Sequence, residues 1–363
     1  MDQTLALRLR AQRLAERPAA PVARVVKDAC GVQAQELAAA RLQIRARSTG
    51  LTAAGVEQAR LEQRSIVWSW AMRGTLFLLA ADDYDWLQPL LGPLMIAGER
   101  SRMRQLGLDE ETAAKGARLL REMLASQGPL TRRELAERLS PQGIPMEGQA
   151  SIHLIAHAAS LGWIIRGPDK DGEPAYVLLS DWIDPGPPLP RPAALAELAR
   201  RYLAAYAPAA PRDFAAWSGL SLSDARSGWN GIVDELAGVE FAGELLSILK
   251  IQLPWLDELS LSSRVMRLLP RFDDYLLGYA GRDLILSPEY ARRINAGGGI
   301  IHPSLCVDGR ILGKWSTQKE RGLLKVSVEP FESLPPDLLP EIEAEVADLG
   351  RFIGANLKLA IKE

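Results

Sequence analysis

The chain has 363 residues, 47% of them hydrophobic and 24% charged, with a net charge of −2 and a pI near 6.1. That is a globular balance, with room for two or three units at roughly 100–200 residues each, and it argues against a simple polybasic nucleic-acid binder. No window approaches the ~20 apolar residues that a membrane span needs, and the start, Met1-Asp2-Gln3-Thr4, lacks a signal-peptide core.

Only two cysteines occur, Cys30 and Cys306, far apart. A disulfide framework is not expected, both are read as small buried residues, and a reduced, cytoplasmic setting fits. The charge is uneven: residues 1–73 carry twelve Lys/Arg against six Asp/Glu, whereas residues 329–363 carry three against eight. Such a polarised chain can offer a basic face to phosphate while remaining acidic in total.

In chain order, residues 3–17 have helical spacing through Leu5, Leu9 and Leu14, broken by Pro18 and Pro21. A short helix from Pro21 to about Cys30 follows, then the interruption Gly31-Val32-Gln33-Ala34-Gln35. A third helix runs through Leu37, Ala40, Leu42 and Ile44 to about Thr49-Gly50, and Thr52 opens a fourth. Strands at Ile66–Met72 and Thr75–Ala80 join at Arg73-Gly74. Residues 95–130 read as helical.

The order of helices and then a hairpin recurs. Thr131 and Glu134 form a capping box, a helix covers Glu147–Leu161, and strands are expected at Trp163–Arg166 and Ala175–Leu179. It recurs again with Pro211–Ser218, a helix from Ser221 to about Leu236, and strands at Val239–Ala242 and Leu245–Leu249. A helix-turn-helix followed by a hairpin is the winged-helix plan, whose second helix suits a major groove. From about Ser262 short strands dominate: Met266–Leu269, Asp283–Leu286, Gly299–Ile301, Leu305–Val307, Arg310–Trp315 and Leu323–Val328, with a hairpin turn at Asp308-Gly309. An acidic helix at Glu341–Leu349 and a strand at Asn356–Ile361 close the chain.

The expected fold class is therefore α+β: three tandem winged-helix motifs in a C-shaped array with a β-rich C-terminal subdomain. The motif boundaries fall at 1–110, 111–190, 191–261 and 262–363. A monomer is expected.

Most catalytic motifs are absent, including a Walker A loop and a Gly-x-Ser-x-Gly elbow. His153 and His157 stand four apart on one helix but lack the adjacent Glu of a metalloprotease helix, and His302 is distant in sequence. No metal and no cofactor is expected. Gln33 and Gln35 follow Gly31 at a helix entrance in the most basic part of the chain, where exposed amides orient water or phosphate. By composition alone they read as ordinary surface glutamines. Asp273 and Asp274, beside Phe272, Tyr275 and Tyr279, are read as structural hydrogen-bonding carboxylates in an apolar β context. Trp68, Trp70 and Trp163 are read as core.

Gln33-Ala34-Gln35 after a short helix resembles the catalytic motif of the AlkZ-like, YcaQ-related DNA glycosylases of the winged-helix superfamily. Further stretches resemble that family in order: Met72-Arg73-Gly74-Thr75-Leu76 through Asp83, Leu154 to Gly167, the long run from Leu268 through Phe272-Asp273-Asp274-Tyr275-Leu276-Leu277-Gly278-Tyr279, and Val307 to Trp315. With Gln35, the chain resembles the Gln-x-Gln branch rather than the Gln-x-Asp branch. The resemblance implies hydrolysis of the N-glycosidic bond of cationic alkylpurines, N7-alkylguanine or N3-alkyladenine, with unhooking of interstrand crosslinks as an extension. An amide cannot act as general base, but a cationic base leaves without protonation. Gln35 is read as placing the water and Gln33 as its helper, with the reverse assignment open. Double-stranded DNA is the expected partner, contacted by Arg73 and Thr75 at the hairpin and by Arg132, Arg133, Arg166 and Lys314 at phosphate. Two other classes compete: a non-enzymatic winged-helix regulator, and a protein that sequesters a DNA-alkylating natural product.

Overall fold

The computed structural model describes residues 2–241, 243–257, 264–320 and 323–362. The backbone gathers into two compact units, one formed by Gln58–Ala194 and the other by Met1–Glu57 with Leu195–Glu363. The motif boundaries read from sequence order cut across this grouping, because the segment 1–110 contributes to both.

In the unit 58–194, strands Ile66–Trp70 and Leu76–Ala80 form an antiparallel hairpin. Arg73 (φ 57°) and Gly74 (φ 66°) turn it through the left-handed region, which glycine adopts without strain and arginine does not. Helices Tyr84–Gln105 and Glu110–Gln127 follow. The short strand Leu130–Thr131 then enters helix Arg132–Leu139 through the expected box: the Glu134 amide donates to Thr131 Oγ1 at 3.2 Å, and the Thr131 amide to Glu134 Oε2 at 2.8 Å. Helix Ala150–Ser160 and strands Ile164–Lys170 and Glu173–Leu178 complete the unit. Its strands run Leu76–Ala80, Ile66–Trp70, Ile164–Lys170, Glu173–Leu178, Leu130–Thr131, each antiparallel to its neighbour. Leu120, Leu124, Leu135, Leu139, Leu154 and Ile155 fill the core between helices and sheet.

The other unit repeats that order. Helix Arg191–Tyr206 leads to Ala209, which bridges to Ser247, then to helices Pro211–Ser218 and Leu222–Asn230 and the hairpin Leu236–Phe241/Glu244–Leu249. A five-stranded sheet follows, in the order Leu357–Ile361, Leu323–Pro330, Arg310–Glu320, Ser304–Val307, Met266–Leu269. Asp308 (φ 48°) and Gly309 (φ 84°) make the primed turn that their sequence predicts. Helix Leu339–Ile353 covers this sheet through Ile342, Val346 and Leu349, which pack on Leu268, Trp315 and Val326.

Several expectations are corrected. The first helix stops at Ala11 rather than residue 17, because Arg13 turns left-handed (φ 58°) and pairs with Asp28. The helix opened by Ser221 ends at Asn230, not near Leu236, which instead begins a strand. Asp283–Leu286 is a turn rather than a strand. Phe272–Tyr279 is not a β segment: Phe272 is left-handed (φ 56°), and Asp273 caps the short helix Asp274–Leu277 by accepting from the Tyr275 amide at 2.9 Å. Ala242, in the expected strand Val239–Ala242, lies outside the described residues. Cys30 and Cys306 are both buried, and neither is in a disulfide. Among the described residues no helix is long and apolar enough to cross a membrane.

Candidate functional site

The glutamine motif sits where two left-handed residues, Cys30 (φ 56°) and Gly31 (φ 92°), carry the chain out of helix Val22–Asp28. Gln33 is buried and extended, and Gln35 is exposed two residues ahead of helix Leu37–Ala46. The Gln33 backbone is held at both polar atoms. Its amide donates to Asp274 Oδ2 at 3.0 Å, and its carbonyl accepts from Gln43 Nε2 at 2.9 Å. The same Gln43 amide also donates to the Phe272 carbonyl at 3.2 Å, while Gln43 Oε1 accepts from the Asp274 amide at 3.3 Å. Glu36, next to Gln35, pairs with Arg271.

Below this lies a buried ionic layer. Arg47 meets Asp273 through two bonds, Nη2–Oδ1 at 2.7 Å and Nη1–Oδ2 at 3.0 Å. Arg47 also donates to Gln12 Oε1 at 2.9 Å and to the Gln43 carbonyl at 3.2 Å. Gln12 reaches the Tyr279 hydroxyl at 3.4 Å, and the Arg8 guanidinium lies 3.6 Å above the Tyr279 ring. Burial opposes the charge on Arg47, yet Asp273 outweighs it and holds the guanidinium pKa above its ordinary value. Burial pushes the Tyr279 hydroxyl up to about 12.

The basic excess of the N-terminal segment is largely taken up inside the fold. Arg45 bonds Glu345 at 2.9 Å and Asp348 at 3.1 Å, Arg17 reaches the same two acids, and Arg13 and Arg24 both pair with Asp28. The acidic C-terminal helix is thus the counter-charge of the N-terminal helices, a use of charge that linear counting does not reveal.

Of the expected phosphate contacts, Arg132, Arg133 and Arg166 come together around a cleft of about 610 Å³. Arg132 and Arg133 are exposed, with Arg133 only 3.9 Å from Glu173. Arg166 is half-buried: its guanidinium lies 4.5 Å from the Trp68 ring, its strand partner, and 5.8 Å from Trp70 and Tyr176. Desolvation lowers its pKa. Arg73 stacks 5.8 Å from Phe77, and Thr75 donates its hydroxyl to the Met72 carbonyl at 3.0 Å, inside the turn. Lys314 belongs to the other unit. It shares Glu329 with Arg293, at 3.1 and 3.0 Å, on a cleft of about 510 Å³ that Arg271, His302 and Lys362 also line. His153 bonds Glu99 at 2.7 Å, whereas His157 Nδ1 is buried without a hydrogen-bond partner among the described residues. Among the described residues no three His, Cys, Asp or Glu side chains gather closely enough to hold a metal.

Comparison with known proteins reads this arrangement. The family model "DNA glycosylase AlkZ-like" matches residues 26–352. That span takes in the glutamine motif, the Phe272–Tyr279 run and the ionic layer from Arg47 to Asp273. The chain belongs to the AlkZ-like DNA glycosylase family. It is similar to the interstrand DNA cross-link repair glycosylase of Streptomyces sahachiroi, at 27% identity across 98% of this chain and 96% of that protein. It is also similar to the solved structure of the Streptomyces sahachiroi DNA glycosylase AlkZ, with a TM-score of 0.83 and 26% identity over the whole of both chains. The chain is accordingly a DNA glycosylase of mixed helix and strand, and DNA is its substrate.

Within this AlkZ-like framework, sequence reading missed Gln12, Gln43 and Arg47. A signal was present: Ala40, Gln43, Ile44 and Arg47 share one helical face, and the structure buries all four while leaving Leu37 and Leu42 half-buried. Polar residues on a buried face require partners, and these are supplied by the Phe272–Asp274 turn.

Proposed function

We propose that this glycosylase excises cationic alkylpurines, N7-alkylguanine or N3-alkyladenine, from double-stranded DNA. Gln35 orients the attacking water, and Gln33 assists at the sugar or base. Water adds to C1′ as the bond to the base nitrogen breaks. The electron pair of that bond neutralises the cationic base, and the water proton passes to solvent.

The observation that carries this reading is the engagement of the carboxylates around the motif. Asp274 accepts from the Gln33 amide, and Glu36 is paired with Arg271. A motif made of amides, with its neighbouring acids occupied, suits a leaving group that needs no protonation. The exposed position of Gln35 supports its contact with DNA, and the fixed backbone of Gln33 supports a positioning part. Because its relative in Streptomyces sahachiroi is named for cross-link repair, unhooking of interstrand crosslinks extends the same chemistry to this chain.

The three motifs of helices followed by a hairpin act as winged helices on the duplex, and the protein works as a monomer. Arg132, Arg133 and Arg166 bind phosphate in one unit, Lys314 does so in the other, and Arg73 and Thr75 touch the duplex at the hairpin turn. Duplex DNA carrying N7-methylguanine, incubated with the protein and then heated in alkali, breaks at the lesion if the base has been removed. Intact DNA after retesting with N3-methyladenine and with bulky N7 adducts contradicts the proposed substrate class.

A further inference from the structure

We propose that Gln43 and Asp274 are positioning residues that set the backbone of the glutamine motif, and that they act on turnover rather than on DNA affinity. The inference rests on the reading of Gln35 as the residue that places water. A motif only three residues long, between a left-handed turn and a helix, has little regular structure of its own to fix it. The bonds around Gln33 supply the missing constraint. Its amide goes to Asp274, its carbonyl to Gln43, and Gln43 and Asp274 are themselves joined, so three residues close a ring of hydrogen bonds. All three are buried, Gln43 at 0%, Asp274 at 2% and Gln33 at 6% exposure, where exchange of these bonds with water is costly.

Each side of the ring is anchored further. Gln43 lies on a ten-residue helix whose C-cap, Arg47, grips Asp273, so the helix and the Phe272–Asp274 turn are locked together one turn below. The side chain that holds Gln33 is therefore itself buried and anchored at both ends of its contact. A shift of the motif of ~1 Å is enough to slow a reaction ~10²-fold when the displaced group aligns the nucleophile.

The test uses the full chain with Gln43→Met, Asp274→Ala, Asp274→Asn and Gln35→Ala variants. Met matches the length of Gln but cannot donate and accepts only weakly through sulfur, whereas Asn keeps an oxygen for the Gln33 amide. A core variant on the same unit's sheet, Val326→Ala, whose side chain takes no part in the hydrogen-bond ring, controls for lost stability. Three quantities are read: the single-turnover rate of base release from an N7-methylguanine duplex, the Kd for the undamaged duplex, and hydrogen exchange of the Gln33 amide. Gln43→Met and Asp274→Ala are expected to release base about 10–100-fold more slowly, with Kd within about twofold of wild type and faster Gln33 exchange. Asp274→Asn keeps most of the protection and the rate.

Unchanged Gln33 exchange in Gln43→Met overturns the proposal, as does a rate loss no larger than that of Val326→Ala. A wild-type rate in Gln43→Met beside a slow Gln35→Ala overturns the clamp alone. A wild-type rate in both overturns the catalytic reading beneath it.

Discussion

Arg47 and Asp273 face each other end-on, with Nη2 on Oδ1 at 2.7 Å and Nη1 on Oδ2 at 3.0 Å and neither side chain more than 2% exposed. Such a pair gives direction more than net stability, but removing one partner leaves the other charge buried and alone. Asp273 also caps the Asp274–Leu277 helix. Asp273→Ala is expected to lower unfolding free energy by about 3–5 kcal/mol, measured by urea titration. A loss below ~1 kcal/mol, the scale of a surface pair, would mean that the layer is wetter than its geometry implies.

Gly278 has a different constraint. A Cβ there would stand 2.5 Å from Cδ1 of Tyr206, whose ring is stacked 4.9 Å from Tyr202 and cannot swing away. Gly278→Ala should therefore destabilise by about 1–3 kcal/mol through overpacking. An alanine variant as stable as the parent would show that the aromatic stack yields.

His157 predicts a pH dependence. Burial lowers its pKa from an ordinary 6.5, and its Nδ1 has no hydrogen-bond partner among the described residues. The folded state disfavours the cation, so as pH falls below 6.5 the unfolded chain takes up the proton first. This contribution to stability is complete above about pH 6.5 and is lost as pH falls toward the depressed folded value. Between pH 8 and pH 5.5, wild type is expected to lose more unfolding free energy than His157→Leu. Glu99 and His153, paired beside it, are present in both proteins. Equal losses would remove His157 from the account.

The arginine cleft predicts a salt effect. If Arg132 and Arg133 each neutralise one phosphate, each Arg→Ala change should reduce the slope of log K against log salt by about 0.9, with little change in lesion preference. Weaker binding with an unchanged slope would place these arginines away from phosphate.

Much of this was legible in advance, because local chemistry governs it. The Thr131–Glu134 box, the Asp308-Gly309 turn, and helix Pro211–Ser218 closed by Gly219 are all set by residues within one turn of each other. What escaped was non-local. Arg13 has ordinary helical neighbours, and its left-handed backbone accompanies its pairing with Asp28, fifteen residues on. Asp273 and Asp274 form the hydrogen bonds that their sequence context suggests, but their partners, Arg47 and the Gln33 amide, lie more than two hundred residues away. Gln33 and Gln35 stood out only through family resemblance, since nothing in their type or spacing separates them from surface glutamines.

The central claim is that hydrolysis runs through an amide at Gln35, and one measurement reaches it directly: single-turnover release of N7-methylguanine from duplex DNA by wild type and by Gln35→Ala. Wild type is expected to release the base and the variant to lose about 10²–10³-fold in rate, equivalent to ~3–4 kcal/mol of transition-state stabilisation, with binding to undamaged duplex preserved. Release at the same rate by both proteins would contradict the claim and move the chemistry to another residue.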